Sequence, residues 1–159
     1  MSPRAAWRLE ALGFEQVADY VGGKADWLGH GLPREGTTNG VLYTGELVDR
    51  EPPTCGLSAT AGDVTAQLSA VRYGFCLVVN EQRVLLGRVR QRALAVADEN
   101  TSVEAVMEPG PSTVRPNTPA RDLTERLPQR DLQTAIVTAT DGCLIGVLHR
   151  ADVERELGR

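Results

Sequence analysis

The second half of this chain repeats the pattern of its middle at a constant offset of 59 residues. Thr54 stands opposite Thr113, Asp63 opposite Asp122, Thr65 opposite Thr124, Leu68 opposite Leu127, Val78 opposite Val137 and Gly87 opposite Gly146. Leu47 with Val106, Val48 with Met107, Leu77 with Ile136, Leu86 with Ile145 and Val89 with Leu148 are conservative matches in the same register, and no insertion interrupts it. A period of this length exceeds the roughly 20–50 residues of solenoid units. It is also short for two independent domains, each with its own core. The expectation is two similar units that share one core, with a ligand cleft where the copies meet.

Each unit reads as short strand, helix, strand, strand, helix. In the first, Pro52-Pro53 forces an extended entry, and Thr60 caps a helix with Asp63 in its first turn. Phe75-Cys76-Leu77-Val78-Val79 is a continuous apolar run, as a strand covered on both faces requires. Its partner strand is expected over Val84-Leu85-Leu86 and Val89, followed by a helix over 90–96. In the second, Thr101-Ser102-Val103-Glu104 opens a short helix that Pro109 and Pro111 stop. Thr118 caps a helix with Pro119 at its first position, and Ala120, Leu123 and Leu127 share one face of it. Ala135-Ile136-Val137 is a buried strand, Asp141-Gly142 a hairpin turn, and 143–148 the return strand before a closing helix over 150–157.

Aromatic residues are scarce, at 4%, so the core must rest on Val, Leu, Ile and Ala. The net charge of −4 argues against nucleic acid and anionic membranes as partners, while leaving room for a local basic pocket. No run of about 18 apolar residues is present, and the first residues lead into no apolar signal core. Cys55, Cys76 and Cys143 form no metal-ligand cluster, and Cys76 and Cys143 are expected as buried reduced thiols. A cytoplasmic location follows.

The second unit resembles a CBS domain, named for the cystathionine-β-synthase family. The resemblance lies in Val106-Met107, Pro111-Ser112-Thr113-Val114-Arg115-Pro116-Asn117-Thr118, Asp141-Gly142 and Gly146-Val147-Leu148-His149-Arg150-Ala151-Asp152-Val153. The first unit resembles the same family through the shared offset. The resemblance implies an α/β (α+β) fold in which two pseudo-symmetric β-α-β-β-α repeats, over 46–98 and 99–159, pack sheet to sheet behind an N-terminal helical extension. It also implies a flat homodimer and an adenosine-containing regulatory ligand: AMP, ADP, ATP or S-adenosylmethionine.

In that family the closing motif is Gly, two apolar residues, Thr or Ser, two variable residues and Asp. The acid takes both ribose hydroxyls, and the hydroxyl residue lies near the phosphate. Here the second copy keeps the acid as Asp152, with His149 in place of the hydroxyl residue and Arg150 beside it. The first copy has Ala93 for the acid and Arg90 for the hydroxyl residue. Arg88, Arg90, Arg92, His149 and Arg150 gather positive charge suited to phosphate. By resemblance, adenine would rest on Ser112, Thr113, Val114, Thr134, Ala135 and Ile136.

Residues 1–36 resemble the last helix–strand–helix of a rhodanese-like domain, through Ser2-Pro3-Arg4-Ala5-Ala6-Trp7-Arg8-Leu9-Glu10, Gly22-Gly23 and Trp27. A helix is expected to Leu12, an extended piece over 14–20 and another helical stretch over 24–28, with 37–45 as linker. That family carries sulfur on a cysteine just before the first helix, which this sequence does not contain, so sulfur transfer is not expected. Trp7, Leu9, Leu12, Phe14 and Trp27 are expected to dock on the repeats or on a second subunit.

Gly22-Gly23-Lys24 lacks the upstream glycine and following hydroxyl of a phosphate loop. No nucleophile–base pair stands at close spacing, and His30 and His149 read as structural or surface residues. The expected function is therefore a non-enzymatic module that binds an adenosyl nucleotide between the repeats and signals to a partner. The alternative is a ligand-free structural or dimerisation module.

Overall fold

The computed structural model describes residues 3–36, 40–69, 71–129 and 132–158. Residues 37–39 of the expected linker, and Ser2 of the N-terminal resemblance, lie outside the described residues. In chain order the elements are α1 (Pro3–Ala11), α2 (Gly23–Gly29), α3 (Thr44–Leu47), β1 (Thr54–Cys55), α4 (Ala61–Leu68), β2 (Phe75–Val79), β3 (Leu85–Arg90) and α5 (Gln91–Leu94). Then come α6 (Val103–Val106), β4 (Glu108–Pro109), β5 (Thr113–Val114), α7 (Ala120–Gln129), β6 (Thr134–Thr138), β7 (Leu144–His149) and α8 (Arg150–Glu156). The offset of 59 carries α3 onto α6, β1 onto β5, the start of α4 onto that of α7, β2 onto β6, β3 onto β7 and the start of α5 onto that of α8. Even the register shift in the hairpin recurs, between Val78 and Val79 and between Val137 and Thr138.

Strands order as β1-β2-β3-β4 in one sheet and β5-β6-β7 in the other, so the architecture is mixed α+β. Each five-residue central strand alternates its side chains between two covered faces. Cys76 and Val78 pack under α4 and α5, and Ala135 and Val137 under α7 and α8. The opposite faces meet in a seam of Tyr73, Phe75, Leu77, Ile136, Leu144 and Val147. The hairpin tips close one end of this seam. There the equivalent residues Val84 and Cys143 bridge each other, and the paired bonds Leu85 N–H to Gly142 O and Leu144 N–H to Arg83 O flank them.

The opening segment of each repeat packs on the other repeat. Leu42, Leu47 and Val48 pack on the core of the second repeat, and Val103, Val106 and Met107 belong to the core of the first. Backbone bonds fix the crossing twice over. The Thr44 N–H donates to Thr118 O as the Val103 N–H does to Ala59 O, and the Ala120 N–H to Leu42 O as the Ala61 N–H does to Thr101 O. Asp49 and Val147 exchange both backbone bonds, while Glu108 pairs with Arg88 as strand β4. These partners lie far apart in sequence, so no local pattern announces them.

Several local expectations change. Thr60 and Asp63 form the expected reciprocal cap of α4. In the second repeat Pro119 takes the place equivalent to Thr60, held extended by a bridge to Tyr43, and α7 starts one residue later than expected, at Ala120. Cys143 is half-buried rather than buried, and Cys55 shares the first core with the buried Cys76. Residues 14–20 form no strand. An extended segment needs a neighbour to take its N–H and C=O groups, and the described residues offer it none. Trp7, Leu12 and Phe14 are exposed and α1 buries nothing, so the expected docking of this helix onto the repeats does not occur. α2 does dock: Gly29 is buried against Ile145 and Pro116, and the Arg50 guanidinium donates to the carbonyls of Gly29 (2.7 Å) and Gly45 (3.2 Å).

Candidate functional site

The end of the seam opposite the hairpin tips opens into a cavity of about 320 Å³. Equivalent residues face each other across it: Phe75 and Thr134, Arg90 and His149, Tyr73 and Leu132. Strands β3 and β7 end here and hand over to α5 and α8, so both closing motifs reach this mouth. Arg72, Arg88 and Arg90 bring three guanidinium groups to its wall, and the described lining residues include no carboxylate. Each of these guanidinium groups is also paired with a carboxylate beyond the lining, Arg72 with Asp152 and Arg88 and Arg90 with Glu108.

Around the first motif the charge is balanced from within the chain. Glu108 accepts from Arg88 Nη2 at 2.7 Å, Arg90 Nε at 2.9 Å and Arg92 Nη2 at 3.2 Å. The bond from Arg88, joined by that from Arg90, outweighs burial and draws the Glu108 carboxyl from its usual 4.5 down to about 2. Strand exchange positions it, because Glu108 is the β4 residue directly opposite Arg88. Arg88 Nε is buried without a hydrogen-bond partner among the described residues, and its guanidinium lies 5.9 Å from the Phe75 ring centroid.

The Glu108 cluster makes an acid-stability prediction. Between about pH 4.5 and about pH 2 the unfolded chain binds a proton that the folded chain refuses, so stability falls as pH falls through that window. Glu108→Gln should flatten this decline, read as urea midpoints at several pH values. Equal slopes in both proteins would count against the cluster.

Around the second motif the arrangement is reversed, an acid held by bases. Asp152 lies in the first turn of α8 with 22% of its side chain exposed. Its Oδ2 meets Arg72 Nη2 at 2.8 Å and its Oδ1 meets Arg155 Nη2 at 2.7 Å. Burial alone would raise its pKa, but the Arg72 bond and the charges of Arg72 and Arg155 prevail and lower it. Arg72 comes from the first repeat and also donates to the Tyr73 hydroxyl at 3.3 Å, which in turn donates to Asp49 at 2.6 Å. The desolvated Tyr73 phenol, with Asp49 beside it, titrates above its usual value.

Of the residues singled out from sequence, Arg88, Arg90, Thr134 and His149 line the cavity, and Arg72 ties Asp152 to it. His149 caps α8, its Nδ1 accepting from the Ala151 N–H at 3.4 Å, and so takes over one job of the expected hydroxyl. Arg150 pairs with Glu154 at 2.7 Å, one turn along α8. Thr113 and Val114 do not line the cavity: Thr113 accepts from the Thr138 hydroxyl, and Val114 packs on the second core. Ala135 lies in the helix-side core and Ile136 in the seam. Sequence reasoning missed Arg72, Tyr73, Asp49 and Glu108. Only their places in the 59-residue register hint at them, Asp49 matching Glu108 and Tyr73 matching Leu132.

The two-sheet fold is shared with solved CBS-domain structures. Residues 103–159 match the family model described as "CBS domain". No curated protein matches the chain. Among solved structures, the cytosolic domain of the Mg2+ channel MgtE in complex with ATP is 26% identical, with a TM-score of 0.65 over 72% of this chain and 48% of that one. This chain thus spans about half the length of that relative. The CBS domains of a transcriptional regulator from Streptococcus pneumoniae are 22% identical, with a TM-score of 0.64 over 72% of this chain and 98% of that one. CBSX2 in complex with AMP is 23% identical, with a TM-score of 0.63 over 71% of this chain and 94% of that one. No helix of the described residues is long and apolar enough to cross a membrane.

Proposed function

We propose that this chain is a non-catalytic regulatory module that binds one adenosine-containing nucleotide at its second closing motif. The observation that carries this reading is Asp152, a partly exposed carboxylate in the first turn of α8, tied through Arg72 to a cavity walled by guanidinium groups. The carboxylate takes the vicinal hydroxyls of ribose, since one acid can accept two hydrogen bonds and charge-assisted bonds are the stronger kind. The phosphates turn toward the wall lined by Arg72, Arg90 and His149. The ATP and AMP held by two of the structural relatives support an adenosyl ligand. The first motif holds no ribose, because Ala93 offers no acceptor.

In this reading the module works in the cytoplasm as a homodimer, and binding shifts the packing of the repeats in a way that a partner protein reads. Residues 1–36, as the tail of a rhodanese-like domain, carry no sulfur chemistry.

The test is calorimetry with AMP, ADP, ATP, NADH and S-adenosylmethionine. One molecule should bind per chain, and Asp152→Ala should weaken binding by about 1–3 kcal/mol. Failure of every ligand to bind below the millimolar range would end the nucleotide reading. A ligand-free structural module is the second reading. It is favoured by the fact that Asp152 and Glu108 both hold arginines of the chain itself, and it predicts a melting temperature unmoved by the whole nucleotide panel.

A further inference from the structure

We infer that Arg72 makes the second cleft select phosphorylated nucleosides over the bare nucleoside, by exchanging the Asp152 carboxylate for a ligand phosphate. This rests on the nucleotide reading above and adds to it a selectivity and the residue that sets it. Two facts place Arg72 in this role. Its guanidinium pairs with Asp152 Oδ2 at 2.8 Å, the acid that would take the ribose, and it also lines the cavity that would take the phosphates. The motif around Asp152 belongs to the second repeat, whereas Arg72 comes from the segment just before β2 of the first. A ligand seated at Asp152 therefore also breaks a link between the repeats.

Both oxygens of Asp152 hold a guanidinium, Arg72 on one and Arg155 on the other. Arg155 lies on the same helix as the acid, three residues on, and can stay in place. A diol that bridges both oxygens has to move Arg72 aside. A bare nucleoside then leaves that half-exposed guanidinium to water and to the Tyr73 hydroxyl and ring, with no anion in the ligand to replace the carboxylate. A nucleotide restores an anion at once, because the displaced side chain already borders the space for the phosphates and a guanidinium fork suits phosphate oxygens. Half of the Arg72 side chain, 51%, is exposed, so the swing breaks no packed core. S-adenosylmethionine offers this wall a single carboxylate beside a sulfonium and an ammonium cation, and so gains less from the exchange than a phosphate does.

The experiment measures dissociation constants for ADP and adenosine with the full chain, by calorimetry at low salt, for the wild type, Arg72→Ala, Arg72→Lys and Asp152→Ala. The wild type should prefer ADP by about tenfold or more. In Arg72→Ala that ratio should fall to about threefold or less, with adenosine binding more tightly than to the wild type. Arg72→Lys keeps the charge and should hold the ratio above that of Arg72→Ala. A ratio unchanged in Arg72→Ala while Asp152→Ala weakens both ligands would overturn the role of Arg72 and leave the nucleotide reading standing. If neither ligand binds the wild type or Arg72→Ala, the nucleotide reading and this inference fail together.

Discussion

Leu77→Ala should destabilise the protein by about 2–5 kcal/mol, the range for emptying a fully buried leucine site. Leu77 has no exposed surface and sits in the seam among Phe75, Ile136 and Val147. The upper part of the range is expected, because the site lies between two sheets rather than beside a loop that could settle into the gap. The β2 backbone is pinned at this residue by the Leu77 N–H donating to Pro53 O at 2.9 Å and by pairing with Thr54 and Arg88. Urea unfolding checks it, with Leu57→Ala as the control at an exposed position. A single transition is expected, since each repeat holds part of the other's core. A loss below about 1 kcal/mol for Leu77→Ala would mean that the seam is not one packed unit.

The second large effect is expected at Gly146. A Cβ there would press into the Asp49 carbonyl and lie 3.1 Å from Val48 Cβ. The obstruction is largely backbone, and it belongs to the crossing segment that bonds to Val147 in both directions. Gly146→Ala should cost about 3 kcal/mol, the upper end for overpacking, because relief requires the exchanged strand to move away. The equivalent Gly87 meets chiefly the Met107 side chain, with Sδ at 2.6 Å, and that side chain can turn away. Gly87→Ala should therefore be clearly milder. Urea midpoints for the two variants give the comparison, and a Gly87 variant as damaged as the Gly146 variant would contradict it.

Much of this architecture was legible because a duplicated sequence states each element twice. Phe75-Cys76-Leu77-Val78-Val79 alone could be strand or helix, but its match to Thr134-Ala135-Ile136-Val137-Thr138 ahead of an Asp-Gly turn leaves only a hairpin strand. The Thr60 cap was legible because capping is local. The crossing of residues 42–49 and 101–109 was not, since it depends on contacts between residues that no short window holds together. The extended piece at 14–20 misled for the same reason, as a strand is made by its neighbour. At the site, Asp152 and His149 stood out through the closing motif. Arg72 did not, because a lone arginine before a strand reads like any surface base until Asp152 is found beside it. Glu108 was hidden by the same strand exchange that sets it opposite Arg88.

That crossing bears on what half of this molecule could be. A lone unit of this kind would lack one short helix and one bordering segment of its sheet, and only an identical neighbour could lend both. Joining two units end to end turns a loan between chains into one within a chain, so that completing the fold no longer depends on how often two molecules meet.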